Sequence, residues 1–157
     1  MLTKINVDVE LSSQVNKKFN SVRYNCVLHL NDVNGTGQGI VLTPNKALDA
    51  DTYQLIFFER KAEKLLHSEK GTRLRNCEAE AGKGLYDPNK PEDYFYFVRV
   101  KMSDSVTRTF FLSNPQKKLL KYINLGFEFG DIEPSTDVTD EELNEIKVEN
   151  QPKVKKD

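Results

Sequence analysis

Tyr94-Phe95-Tyr96-Phe97-Val98-Arg99-Val100-Lys101 combines flat rings and cations at the period of a β-strand. Alternation assigns Tyr94, Tyr96, Val98 and Val100 to one face and Phe95, Phe97, Arg99 and Lys101 to the other. With the valine face turned inward, the outer face offers two rings beside two cations. Rings stack on nucleobases at roughly 1–3 kcal/mol each, and cations neutralise phosphates and release counterions. Arg108 on the following strand and Arg73 and Arg75 on the preceding one extend the basic stripe. Two other arrangements stay open. With the core on the Phe side, Tyr94 and Tyr96 become the stacking residues. With both faces covered, one by a barrel and one by a helix, Arg99 and Lys101 only mark where the strand emerges into water.

Other clusters carry less. Arg60-Lys61-Ala62-Glu63-Lys64 mixes signs, as a solvated helix face does, and Lys117, Lys118 and Lys121 suit an exposed helical face that could touch phosphates. Gly35-x-Gly37-x-Gly39 lacks the third glycine of a dinucleotide loop and the Lys-Ser/Thr of a P-loop, so Asn34-Gly35-Thr36-Gly37 reads as a hairpin turn. Cys26, His29, His67 and Cys77 could supply four zinc ligands by count. A strand, however, sends Cys26 and His29 to opposite faces, and no Cys-x-x-Cys pair occurs, so no metal is expected. Neither histidine lies in a nucleophile, metalloprotease or kinase context, and the Glu78/Glu80 pair resembles ordinary surface carboxylates. The expectation is a non-catalytic protein without cofactors.

The elements that position these residues follow from periodicity. Ile5, Val7, Val9 and Leu11 alternate with polar residues, and Val22, Tyr24, Cys26, Leu28 and Leu30 repeat the pattern, giving two strands; a third lies near Gly39–Leu42. Between Pro44 and Gly71 the spacing turns helical, with Asp51 and Gln54 as a capping pair and a helix over at least 59–69. A strand over Tyr53–Phe58 remains open. Arg73–Ala81 is a weaker strand, Gly82–Asp93 reads as a loop, and Tyr94–Met102 and Val106–Leu112 form a hairpin. Ser113 or Asn114 then caps a helix with Pro115 in its first turn, burying Leu119, Leu120 and Ile123 and stopping at Gly126.

Of 157 residues, 23 are Lys or Arg and 24 Asp or Glu, a net −1 that conceals a division. From Gly130 onward nine acids face four lysines, a net −5, whereas residues 1–129 carry a net +4 and all fifteen aromatics. An acidic, aromatic-free segment offsets little of its ordering entropy, so 130–157 reads as a mostly disordered tail. A short helix in it can start at the Thr139/Glu142 capping box before Leu143 and Ile146. No apolar run approaches the roughly 20 residues of a membrane span. The first residues lack a leader's apolar stretch, and two cysteines do not staple a mini-fold, so the expected location is cytoplasmic.

Three strands, a helix, two or three strands and a helix suggest a mainly β domain over 1–129, a partly open Greek-key barrel. This order, with a helix between strands three and four, resembles the oligonucleotide-binding (OB) fold. The basic body and acidic tail resemble the single-stranded DNA-binding proteins of phages, plasmids and bacteria. The resemblance implies a protein that coats single-stranded DNA during replication, without sequence preference, with RNA left open as an alternative partner. It also implies self-association along DNA and a tail that competes for the groove or recruits replication or recombination partners. The terminal Pro152-Lys153-Val154-Lys155-Lys156-Asp157 departs from the acidic, apolar-ended tip of that family. A structural or adaptor protein of a phage or mobile element, without nucleic-acid binding, is the competing expectation.

Overall fold

The computed structural model describes residues 2–30, 39–44, 46–60, 71–120, 123, 125, 127–135 and 138–149. The expected turn at Asn34–Gly37, the helix over 61–69 and residues 150–157 lie outside them. The chain is mainly β. Strands β1 (Thr3–Asn16), β2 (Ser21–Leu30), β3 (Ile40–Leu42), β4 (Thr72–Leu85), β5 (Tyr94–Lys101) and β6 (Thr107–Leu112) form one antiparallel sheet in the order β3-β2-β1-β4-β5-β6. The sheet curls into a half-barrel whose edges, β3 and β6, approach each other. Its concave side holds the main core: Val7, Val9 and Leu11 of β1, Leu28 and Leu30 of β2, Val98 and Val100 of β5, and Phe110 and Leu112 of β6.

Helix α1 (Ala50–Glu59) closes this core with Tyr53, Ile56 and Phe57. Burying each of these side chains contributes about 2–3 kcal/mol. Thus Tyr53–Phe58 is helical, not extended. The cap is Asp49, two residues earlier than the Asp51 pair suggested; its carboxylate accepts from the Thr52 N–H at 2.7 Å and hydroxyl at 2.8 Å. At the other end the Arg60 side chain donates to the Met102 carbonyl at 2.7 Å, tying α1 to the end of β5.

Strand β4 runs through Gly82 and Gly84, which the sequence marks as loop breakers. They belong to the ladder, paired with Phe97 and Phe95. The register between β1 and β4 shifts after Val7, with Asn76 at φ 54°. There the buried Asp8 carboxylate accepts from the Asn76 N–H and from Arg73 Nε, each at 3.0 Å. Of the expected C-terminal helix, the described residues show one α-helical turn, α2 (Asn114–Lys117), with the Gln116 carboxamide accepting from the Ser113 N–H at 2.8 Å. Leu120 and Ile123 still pack on the core, while Leu119 is exposed.

The described part of 130–149 packs on the body. A 3₁₀ turn, Phe129–Asp131, spans the expected domain boundary and buries Phe129, with Ile132 just beyond it. The Ser135 N–H donates to the Lys83 carbonyl at 2.7 Å. Helix α3 (Asp140–Glu149) starts at the capping box read from sequence, with Glu142 N–H on Thr139 Oγ1 at 3.1 Å and Thr139 N–H on the Glu142 carboxylate at 3.2 Å. Leu143 packs on the body, and the Ile146 side chain lies outside the description. A few apolar residues, spaced to reach both faces of the sheet, hold this otherwise acidic segment. Among the described residues, no helix is long and apolar enough to cross a membrane.

Candidate nucleic-acid interface

On the convex side of the sheet, Phe95 and Phe97 are fully buried, so they are not presented to bases. With Phe111 they form a second, smaller cluster covered by Leu2, Tyr86, Val138 and Leu143. The rings lie over the glycines opposite them. A Cβ on Gly82 would come within 2.4 Å of the Phe97 ring, and one on Gly84 within 2.3 Å of the Phe95 ring. This is the arrangement with both faces covered, one by the core and one by a helix. Arg99 emerges at the rim of the cluster, 5.2 Å from the Phe97 ring centroid and 3.2 Å from the Glu142 carboxylate of α3. Partial burial alone would raise the Glu142 carboxyl, but hydrogen bonds from Thr109 and the Thr139 N–H, together with the Arg99 charge, outweigh it and hold it below the ordinary carboxylate value.

Beyond Arg99 the convex face becomes a polar groove of about 560 Å³, where Lys4 and Asn6 of β1, Glu78 and Glu80 of β4, Arg99 and Lys101 of β5 and Thr107 of β6 meet. Its charges nearly cancel, so it is a poor seat for a polyanion. Arg73 and Arg75 turn to the Asp8 carboxylate instead, at 3.0 and 3.6 Å. Arg108 faces the other way: its guanidinium donates to the Lys46 carbonyl after β3 and helps close the gap between the sheet edges. The basic stripe read from sequence is therefore divided among three structural roles.

Tyr94 and Tyr96 share the concave side where β5 begins. Tyr96 is buried, its ring 5.1 Å from Phe129, and Tyr94 is half-buried. Two lysines converge on them. Lys83 Nζ lies 4.4 Å and Lys117 Nζ 4.6 Å from the Tyr94 ring centroid, with Tyr96 at 5.6 and 5.7 Å. Burial pushes the Tyr96 hydroxyl well above its ordinary value, assisted by its hydrogen bond with Tyr94, and burial lowers Lys117.

The exposed combination of ring and cations lies elsewhere. β1 and β2 continue past their neighbours as a two-stranded ribbon, paired from Ser12↔Asn25 to Asn16↔Ser21. β4 stops opposite Leu11 and β3 opposite Leu28, so among the described residues the ribbon's outer half has no further strand beside it, only the bridge from Leu48 to Tyr24. Asn16 accepts from the Lys18 N–H at 3.1 Å and Asn20 takes φ 48°, which closes the turn. Phe19 at the tip is 71% exposed, with Lys18 Nζ 5.6 Å from its ring. Lys17, Lys18 and Arg23 are exposed with it, and no carboxylate occurs between Glu10 and Asp32. That acid-free stretch was the sequence signal for this surface; it was overshadowed by the richer aromatic run of β5.

The remaining reactive side chains are quiet. Cys26 and Cys77 are buried free thiols, and burial raises both. His29 lies on the opposite face from Cys26, 3.2 Å from the Glu10 carboxylate. Among the described residues, no group of three His, Cys, Asp or Glu side chains is placed to hold a metal ion. No family model matches the chain, and neither a curated protein nor a solved structure matches it.

Proposed function

We propose that this is a non-catalytic, sequence-independent single-stranded DNA-binding protein whose β1–β2 ribbon makes the principal contact. The observation that carries the reading is Phe19, 71% exposed at the ribbon tip, among Lys17, Lys18 and Arg23 with no acid nearby in sequence. An exposed ring is available to an unstacked base of any identity, and three cations on a protruding ribbon can follow a phosphate backbone. The order β3-β2-β1-β4-β5 and the place of α1 between β3 and β4 are what an OB-like Greek key would have, and this supports the reading. Helix α3 works in the same direction. It brings Glu142 onto Arg99 and Glu145 beside them, which disfavours phosphate on that face, whereas the ribbon's cations have no such acids in their own stretch of sequence.

Polarisation of a labelled 30-mer dT at two salt concentrations, with matched duplex as control, tests the proposal. Three phosphate contacts give a slope of log K against log salt of about −2 on a single strand. Preferential, salt-sensitive binding of dT supports it, and a flat titration at low salt rejects it. A second reading, an assembly protein that self-associates without nucleic acid, is favoured by Phe58, 83% exposed beside the part-exposed Leu55 on α1. Stable oligomers without DNA, combined with that flat titration, would select it.

A further inference from the structure

We infer that Lys83 of β4 and Lys117 of α2 form a binding site for a phosphate-class oxyanion over the Tyr94/Tyr96 pair. Among the described residues, neither ammonium has an ion-pair partner within 4.0 Å. Lys117 donates to the Tyr94 carbonyl, and Lys83 reaches the Gly130 carbonyl at 3.5 Å. Each ammonium has three donors, so the pair retains four unused N–H groups above one pair of rings. Two like charges drawn together on a half-buried surface oppose each other, and an anion between them removes that opposition. Asp93 is near enough to favour the charge on Lys117, and Asp131 near enough to act on Tyr96, but neither neutralises the lysines by direct contact.

The surroundings favour an oxyanion with several acceptors. The Tyr96 hydroxyl is hydrogen-bonded with Tyr94 and raised mainly by burial, so it stays neutral and sets no phenolate against an incoming anion. No carboxylate occurs between Asp104 and Glu128 in the sequence around Lys117, so the approach is free of local acids from that segment. The site lies on the concave side of the sheet, whereas the polar groove holding Arg99 and Lys101 lies on the convex side. It stands independently of the ribbon.

Inorganic phosphate, titrated into lysine-labelled full-length protein at constant ionic strength in KCl, is the first probe. The Cε signals of Lys83 and Lys117 should move together along one saturable isotherm, with a Kd on the order of 1 mM. The Lys117 pKa should rise on saturation, and Lys4 and Lys101 should barely respond. Lys83→Gln should weaken the Lys117 response at least tenfold. If Lys83 and Lys117 respond no more than Lys4, the site does not exist; this reading needs no variant and is independent of how Lys83→Gln folds. The dT 30-mer then identifies the source of the phosphate. If Lys83→Gln/Lys117→Gln reduces the salt slope by about 1.4, the site takes backbone phosphate. If dT binding is unchanged while the phosphate isotherm is present, the site takes free phosphate. If the native protein ignores dT but shows that isotherm, the DNA-binding proposal falls and this site stands.

Discussion

Phe19 and Phe97 each sit among cations in a β-structure, yet Phe19 is 71% exposed and Phe97 is fully buried. The difference lies in what stands opposite each ring. Phe97 has Gly82 directly across the ladder, so its ring lies down on the backbone, and Leu143 of α3 helps to cover the cluster. Phe19 sits in a four-residue turn that, among the described residues, has no strand on either flank. The same residue types therefore make a hydrophobic cluster in one place and an open contact surface in the other. Local composition does not decide between them; the presence of a cover does. The charges sort in the same way. Arg99 beside the buried rings has an acidic partner in Glu142, while Lys17, Lys18 and Arg23 lie in a stretch that contains no acid.

The most forceful way to break this contrast is to remove the buried ring. Phe97→Ala should cost about 3–5 kcal/mol of stability, as cavity-forming Phe truncations do, read as a lower urea midpoint with little change in m. Dye binding should rise as the cluster loosens. If stability held and only DNA affinity fell, Phe97 would be a contact residue and the contrast would be false. Gly84→Val tests the same seat from the opposite strand. Its new carbons must displace the Phe95 ring, so about 1–3 kcal/mol should be lost.

These glycines also mark where the sequence misleads. Gly82 and Gly84 read as breakers because glycine weakens a strand, and only the aromatic rings paired across from them reveal that their small size is used. Alternation correctly separates the Tyr and Phe faces of β5, but it does not say that both are covered, because much of the cover, Leu2, Val138 and Leu143 of α3, comes from remote parts of the chain. The Thr139/Glu142 capping box was legible; that its helix would lie on Phe95 and Phe97 was not, since one leucine in an acidic segment is a weak signal. Arg73 and Arg75 looked like a basic stripe because the carboxylate that accepts them, Asp8, is remote in sequence. The ribbon was hidden by its length. β1 and β2 were legible as strands, but how far they outrun their neighbours depends on where β3 and β4 stop.

Removing the exposed ring sharpens the contrast from the other side. Phe19→Ala should weaken dT 30-mer binding by about 1–3 kcal/mol, the usual value of one aromatic–base stack. Its unfolding free energy from urea melts should stay within about 0.5 kcal/mol of the native protein, because the ring is 71% exposed. Loss of stability without loss of affinity would reverse the roles of the two phenylalanines.

The smallest effect concerns the charge that holds the cover down. Glu142 caps α3 through the Thr139 N–H and pairs with Arg99, and its carboxyl is held below the ordinary value. A glutamate with a depressed folded pKa adds stability that is fully present above its unfolded pKa, about 4.3, and is lost as pH falls through the folded one. Glu142→Gln keeps the capping hydrogen bonds but removes the charge, so at pH 7 it should cost only about 0.5–1 kcal/mol. Urea melts of both proteins should differ by that amount at neutral pH and converge on acidification below about 4. A difference that persisted in acid would mean that Glu142 acts through its shape and hydrogen bonds. The cover over Phe95 and Phe97 would then be fastened by packing, as the burial of Leu143 against them already implies, and the contrast between the two aromatic regions would owe nothing to the acidity of α3.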